Sequence, residues 1–269
     1  MKKNKPNKSA HTQQSPSANE MSQVESAYRK EVVKYEDTLD VTAHLSQIQH
    51  GIKTDGRGIR AVKIFTRQTL IGISLKHILP LSQPISGCEV WDVCSVASLT
   101  RNLMEGYVTL FYAGTEKITP NEAELRFLLS QYHRNREWRD IRLKTNIADM
   151  SISSLNEVLT AQMLSLKAHP YFQLLSPDQR AKVIKGQEMY LSKADIEKRA
   201  PVVGQYRLHY QLLSNLVHPL PLSIERIGND RGRGEKSDHD MYYCLICISL
   251  ATKFLAASTV AIADLFPTQ

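Results

Sequence analysis

The segment from Met241 to Phe266 runs 26 residues with Lys253 and Asp264 as its only charged side chains. A stretch of that length and polarity either crosses a bilayer, for which about 20 apolar residues suffice, or forms a helix inside a protein core. Lys253 falls near its middle, where entry into lipid costs about 2.5–3.5 kcal/mol. Ser249, Thr252, Ser258 and Thr259 dilute the apolarity further. The expectation is a buried core helix and no membrane contact, with a C-terminal anchor over 241–266 as the weaker alternative.

The rest of the chain reads as helix as well. From Ser22 onward apolar residues recur with a period near 3.6 and alternating β-branched runs are scarce, which predicts helices near 23–49, 57–79, 90–113, 120–144, 151–167, 177–185, 192–217 and 238–265. Gly51 with Asp55-Gly56, and Pro80 and Pro84 with Gly87, break the first pairs. Thr119-Pro120-Asn121-Glu122 and Ser176-Pro177-Asp178-Gln179 each place a capping hydroxyl before a first-turn proline and an acidic residue. No repeat of 20–50 residues is visible, which argues against a solenoid. With 42% apolar residues and 12 glycines the composition is that of a folded domain, excluding collagen-like and wholly disordered classes. The fold class is therefore all-α: a single bundle of seven or eight helices over 23–269 behind a disordered basic tail, 1–22, that lacks the apolar side chains to offset ordering.

The N-terminus has no apolar h-region of a secretory signal. Four cysteines, Cys88, Cys94, Cys244 and Cys247, are too few for a secreted disulfide scaffold. A reducing, cytoplasmic setting is expected. Cys244 and Cys247 form a C-x-x-C without a second pair or a histidine at ligand spacing, so core packing is the reading and neither metal nor cofactor is expected.

Charge is unevenly placed. The net +7 includes Lys2, Lys3, Lys5 and Lys8 in the tail. Lys53, Arg57, Arg60, Lys63 and Arg67 fall within an arc of about 120° on one helix, with Ile59, Val62, Phe65, Thr66, Thr69 and Ile73 opposite. Such a one-signed face either is simply solvated or tracks phosphates of RNA or DNA. Arg134, Arg136, Arg139, Arg142 and Lys144 form a second cluster around Trp138, which is expected to pack on a neighbouring helix.

Two polar constellations stand out against the apolar pattern. Arg101 and Glu105 lie four apart on the one polar stripe of the otherwise apolar helix 90–113, so they are expected to face each other and a further polar group. Arg207, Gln211, Ser214 and His218, spaced 4, 3 and 4, make a narrow seam on a second helix; His209 points to its apolar side and is expected as a satisfied core histidine. His218 ends that helix before Pro219, at the negative end of the helix dipole. A loop follows that carries Arg226, Arg231 and Arg233 and is suited to closing over an anion, although an ordinary surface loop is the simpler reading. It lacks the Gly-Lys-Ser/Thr of a phosphate-binding loop.

The segments from Leu99 to Tyr112 and from Tyr206 to Pro219 resemble a bacterial family of all-helical domains of unknown function, which carries an Arg-x-x-x-Glu helix and a later Leu-Ser-x-x-x-His segment. The second segment also looks like the end of a HEPN-type helix, in which an Arg-polar-x-x-x-His motif on paired helices of a dimer cleaves RNA. In this chain the residue five before His218 is Leu213, and Arg207 lies about 16 Å from His218 by helix rise, so the cation has to come from Arg101 or from a second protomer. The resemblance implies a metal-independent ribonuclease or RNA-binding protein of phage defence or a toxin system. His218 would be the general acid/base or phosphate contact and Arg101 the electrostatic stabiliser, with Glu105, Ser214 and Arg207 around them. Lys53, Arg57, Arg60, Lys63, Arg67, Arg231 and Arg233 would serve as RNA or anion contacts, and a homodimer or protein partner is implied. The rival reading is a non-catalytic helical interaction module with a buried Arg/Glu/His network.

Overall fold

The computed structural model describes residues 18–80, 89–145, 152–200, 202, 204–218, 221–228 and 231–267. In chain order these form α1 (Ala18–Ile48), α2 (Gly56–Ile78), α3 (Val93–Leu110), a π-helical turn (Phe111–Thr115), α4 (Pro120–Thr145), α5 (Ile152–Ala168), α6 (Pro170–Leu174), α7 (Pro177–Ile184), α8 (Lys193–Arg199), α9 (Tyr206–Val217), α10 (Pro221–Ile224) and α11 (Asp238–Leu265). Among the described residues the only β-type pairing is a bridge between Trp91 and Gly234. The all-α expectation is met.

The helices begin where the sequence carries caps. Asp55 accepts from the Gly58 amide (2.7 Å) and the Thr119 hydroxyl from the Glu122 amide (3.2 Å). Ser176 with Gln179, and Ser192 with Asp195, form reciprocal capping boxes. Each satisfies amides that the first helical turn leaves unpaired.

Several boundaries differ from the sequence reading. α1 starts at Ala18, so residues 18–22 of the expected tail are helical, while 1–17 lie outside the described residues. The expected helix 192–217 is two helices, because Ala200, the residue before Pro201, is extended (φ −98°, ψ 108°) and ends the first, and Gln205, with a left-handed φ of 65°, heads the second. α6 and α10 are single short turns headed by Pro170 and Pro221, too brief to show a period.

α11 is the core helix, packed along α1 and α3 and crossing α2. Cys244, Cys247, Ile248, Phe254 and Leu255 on it are fully buried, as are Tyr35, Leu103 and Met104 around it. Side chains of that size contribute roughly 1.5–3 kcal/mol each when removed from water. α11 is long and apolar enough to cross a membrane, but 56% of its most apolar window is buried inside the protein and Lys253 is on the exposed side. Burial pushes the Cys247 thiol up to about 12 and raises Cys244 as well, as befits packed thiols; Cys88 lies outside the described residues. Polar ties set the register of the bundle: Gln68 donates to Ser258 Oγ (2.9 Å) and to the Leu103 carbonyl (3.2 Å), and Thr42 and Thr259 share a 2.7 Å bond. Gly72 permits a close approach of α1 and α2, since a Cβ there would meet Leu39 Cδ1 at 2.9 Å.

A buried ion network joins α4 to α8 to this core. Arg126 is 2% exposed and pairs with Glu116 (2.7 Å) and Glu122 (2.5 Å), donates to the Tyr112 carbonyl (2.6 Å) in the π-turn, and lies over the Tyr112 ring at 4.1 Å. Tyr171 and Tyr190 donate to Glu122 at 2.6 and 2.5 Å, and Arg199 of α8 closes the network on Glu116 at 3.0 Å. Nothing in the local sequence pattern announces this network, because its members are spread from Tyr112 to Arg199.

Candidate functional site

α3 and α9 cross side by side, and their contact holds the site. Arg101 on α3 makes three bonds with its guanidinium. Nε reaches Glu105 Oε1 (3.1 Å), Nη2 donates to the Tyr210 hydroxyl (2.6 Å), and Nη1 lies 3.3 Å from His218 Nε2. Its cationic carbon also stands 4.6 Å from the centre of the Tyr210 ring. A guanidinium only donates, so His218 accepts through Nε2 and carries its proton on Nδ1 in this arrangement. A guanidinium has five N–H donors, and these contacts leave donors free for an anion.

His218 is fixed by backbone rather than by its ring. As the C-cap of α9 it donates its amide to the Ser214 carbonyl (3.1 Å), and its own carbonyl accepts from the Ser223 hydroxyl of α10 (2.5 Å). The imidazole is exposed and Arg101 is only partly so, at 20% of its side chain. The pair is thus a preformed, water-accessible cation and imidazole, held by one helix behind each.

The predicted residues divide into those that meet and those that do not. Arg101, Glu105 and His218 come together. Ser214 lies one turn before His218, with a buried hydroxyl that has no hydrogen-bond partner among the described residues. Arg207 is exposed and remote: its amide donates to Glu197 (2.7 Å) and its side chain bonds to neither Arg101 nor His218. Tyr210 was not among the expected residues. Its signal was available, because Tyr206, Tyr210, Ser214 and His218 are spaced by four throughout and form the true line along α9. The Tyr206 and Tyr210 rings stack at 5.9 Å. His209 is half-buried and its Nδ1 has no hydrogen-bond partner among the described residues, so it is not a satisfied core histidine; burial and then Lys253 lower its pKa.

The basic face on α2 is narrower than its wheel. Lys53 precedes the helix and is exposed, as are Lys63 and Arg67. Arg57 and Arg60 instead turn inward. Arg57 donates to the Glu116 carbonyl, and Arg60 lies 5.0 Å over the Phe127 ring. Burial lowers the pKa of both. The apolar side is also rotated from the expectation: Gly58, Ala61, Phe65, Gln68, Thr69, Gly72 and Leu75 are buried, while Ile59, Thr66 and Ile73 are exposed. Arg67 and Glu105, the carboxylate paired with Arg101, line one cavity of about 300 Å³ between α2 and α3.

In the loop before α11, Arg233 is exposed and Arg231 half-buried, while Arg226 is drawn inward to Asp240 (3.5 Å) and over the Tyr243 ring (3.9 Å). Trp138 is exposed rather than packed, with Arg142 5.8 Å over its ring. Among the described residues no group of three or more His, Cys, Asp or Glu is arranged to hold a metal ion. His218 also lines a cavity of about 350 Å³ on its far side, with Trp91, Cys94, Arg226 and Asp240. No protein-family model, curated protein or solved structure matches the chain.

Proposed function

We propose that this chain is a HEPN-like helical protein that binds and cleaves RNA at the Arg101–His218 pair, in the setting of phage defence or a toxin system that the resemblance implies. The observation that carries the reading is the 3.3 Å approach of Arg101 Nη1 to His218 Nε2, which places a permanent cation beside a titratable ring at an exposed helix end. A phosphate taken up by Arg101 lies within reach of the imidazole. As Arg101 Nη1 turns to the phosphate it releases His218 Nε2, which then accepts the proton of the adjacent ribose 2′-hydroxyl as the 2′-oxygen attacks phosphorus. The bond to the 5′-oxygen breaks, with water protonating the leaving oxygen and Arg101 stabilising the charge built up on phosphorus. The products are a 2′,3′-cyclic phosphate and a 5′-hydroxyl. Glu105 and Tyr210 hold the guanidinium in place.

The test is expression of the wild-type chain and of His218→Ala and Arg101→Ala in a bacterial host at matched levels, with growth and bulk RNA integrity as readouts, alongside cleavage of a labelled RNA by the purified chains. Growth arrest and RNA ends of the stated chemistry with wild type alone support the reading. Equal RNA binding and no cleavage by all three chains would overturn it in favour of a non-catalytic interaction module.

A further inference from the structure

α4 changes character along its length. Its buried residues, Glu122, Leu125, Arg126 and Leu129, lie in its first half. From Ser130 to Thr145 no residue is buried. The charge of this second half is mainly positive: Asp140 is taken by Arg139 (2.7 Å) and Glu137 is the other carboxylate, whereas Arg134, Arg136, Arg142 and Lys144 pair with no carboxylate among the described residues. Two aromatic rings stand in water on the same helix, Trp138 at 52% and Phe127 at 38% exposed, and large apolar side chains left in water with cations beside them are the mark of a binding surface. Phe127, Arg134 and Trp138, spaced 7 and 4, keep within about 40° of one another around the helix, and the two rings lie about 16 Å apart by helix rise. Each ring carries an arginine: Arg60 stands 5.0 Å from the centre of Phe127 and Arg142 5.8 Å from that of Trp138. Between the rings, Ser130, Gln131 and the exposed Arg134 line a cleft of about 320 Å³, whose other charged lining residues are Arg60, Arg126 and Glu188.

We propose that this face of α4 binds single-stranded RNA, with bases stacked on Trp138 and Phe127 and a backbone phosphate between them at Arg134. The proposal takes RNA as the ligand from the reading of the Arg101–His218 site given above. Single strands are held without regard to sequence by aromatic platforms for the bases and cations for the backbone, and this face supplies both in alternation along one helix. Arg134 donates to the side-chain oxygen of Asn135 at 3.3 and 3.4 Å, long bonds to a neutral group that a phosphate oxygen replaces with a charged one. Ile141, 44% exposed and one turn beyond Trp138, extends the platform on which a base lies. A protein partner is served better by a continuous apolar patch, and here the two rings are separated by three helical turns with an exposed guanidinium between them.

The chain has two tryptophans, and the other, Trp91, is 2% exposed, so fluorescence reports stacking on Trp138 independently of cleavage. The full chain is titrated with a short 2′-O-methyl oligoadenylate, which cannot be cleaved by attack of the 2′-oxygen, and with an abasic strand of the same length and charge. The oligoadenylate is expected to quench the emission; the abasic strand is expected to bind about tenfold more weakly and to quench nothing. In Trp138→Phe the remaining emission is expected to ignore both strands, while affinity for a labelled oligoadenylate, read by anisotropy, stays close to that of wild type because a ring is retained. Trp138→Ala is expected to weaken binding about tenfold with the salt dependence unchanged, and Arg134→Gln to lower the slope of log affinity against log salt by about 0.7. Trp138 and Arg134 are both exposed, so their variants are expected to keep the wild-type circular dichroism.

If Trp138→Ala binds the oligoadenylate as tightly as wild type, or the abasic strand binds as tightly as the oligoadenylate, the proposal is overturned; the reading of the Arg101–His218 site is decided separately, by cleavage of unmodified RNA. If emission is quenched and Trp138→Ala loses affinity while no chain cleaves RNA, the cleavage reading falls and the RNA-binding face stands. If Trp138→Ala leaves RNA binding intact but converts a dimer to a monomer in sedimentation, the face is an interface between copies of the chain and the proposal is overturned.

Discussion

Arg101 and His218 are separated by 117 positions in sequence and by 3.3 Å in space, Nη1 to Nε2. The contact depends on the fork of the guanidinium, because the same side chain bonds Glu105 through Nε and Tyr210 through Nη2. An ammonium cannot make this set of contacts in one plane. Arg101→Lys is therefore expected to behave like Arg101→Ala, reducing RNA cleavage by about 10²-fold or more, the scale for losing one transition-state donor. Tyr210→Phe removes one hydroxyl acceptor and keeps the ring, and is expected to reduce cleavage by about tenfold with little change in the unfolding midpoint. Full activity in Arg101→Lys would show that charge alone suffices and that the geometry is incidental.

Exposed and buried cations of the basic face should separate experimentally. Lys63 and Arg67 point to water, whereas Arg57 is tied to the Glu116 carbonyl and Arg60 to the Phe127 ring. Removing Lys63 or Arg67 is expected to lower the slope of log affinity for single-stranded RNA against log salt by about 0.7 each. Arg57→Ala and Arg60→Ala should leave the slope unchanged and lower the denaturation midpoint instead. Titrations by fluorescence anisotropy at several salt concentrations check both halves, and a slope insensitive to all four changes removes this face from the binding surface.

The contrast between these residues shows which parts of the molecule are legible in the sequence. Helix period, caps and the central place of Met241 to Phe266 are local or compositional signals, and all reappear in the structure. Arg101 and His218 stand out because each interrupts an apolar pattern, and elimination of Leu213 and Arg207 leaves Arg101 as the cation within the chain. Tyr210 does not stand out, since a tyrosine fits either face of an amphipathic helix until the facing helix is known. Arg57 and Arg60 fail for the opposite reason: a helical wheel assigns charge to solvent, but α4 and the π-turn cover part of that arc. The network around Arg126 is made of contacts across four elements and two loops, and no window of sequence contains it.

Arg126 is a buried cation, 2% exposed, paired with two carboxylates. Its removal leaves Glu116 and Glu122, both largely buried, without their main counter-charge. Arg126→Met is expected to cost about 3–5 kcal/mol in urea unfolding. Tyr171→Phe, which deletes one donor to Glu122, should cost about 1–2 kcal/mol. A loss below about 1 kcal/mol in Arg126→Met would mean that the pocket repacks around neutralised carboxyls.

The same network predicts an acid limb to stability. Burial pushes the Glu122 carboxyl up, but hydrogen bonds from Tyr171 and Tyr190 and the charge of Arg126 outweigh it and hold the pKa below its ordinary value. As pH falls, the unfolded chain therefore takes up this proton first, and stability declines with pH. The contribution is complete above about pH 4.3, the unperturbed glutamate value, and is lost as pH falls through the folded-state value. Glu122→Gln should start from a lower midpoint and show a flatter acid limb in denaturation series run from neutral pH downward. An unchanged limb would assign acid sensitivity to other carboxyls, of which Asp195, lowered by its bonds to Ser192, is the next to test.

His209 gives a second and higher pH window with the same sign. Burial lowers its pKa and the nearby Lys253 ammonium lowers it further, while its Nδ1 finds no partner among the described residues to stabilise an added proton. The folded state accordingly holds a neutral ring where the unfolded chain, with a histidine value of about 6.5, is already protonated. Stability is full above about pH 6.5 and declines as pH falls from there through the folded value. Lys253→Gln keeps a polar side chain on the exposed face of α11 but removes the repulsion, so the His209 resonance in an NMR titration should move to higher pH and the decline should shrink. His209→Gln should remove it altogether. A His209 titration that is indifferent to Lys253→Gln would place the whole depression in burial, the larger of its two causes.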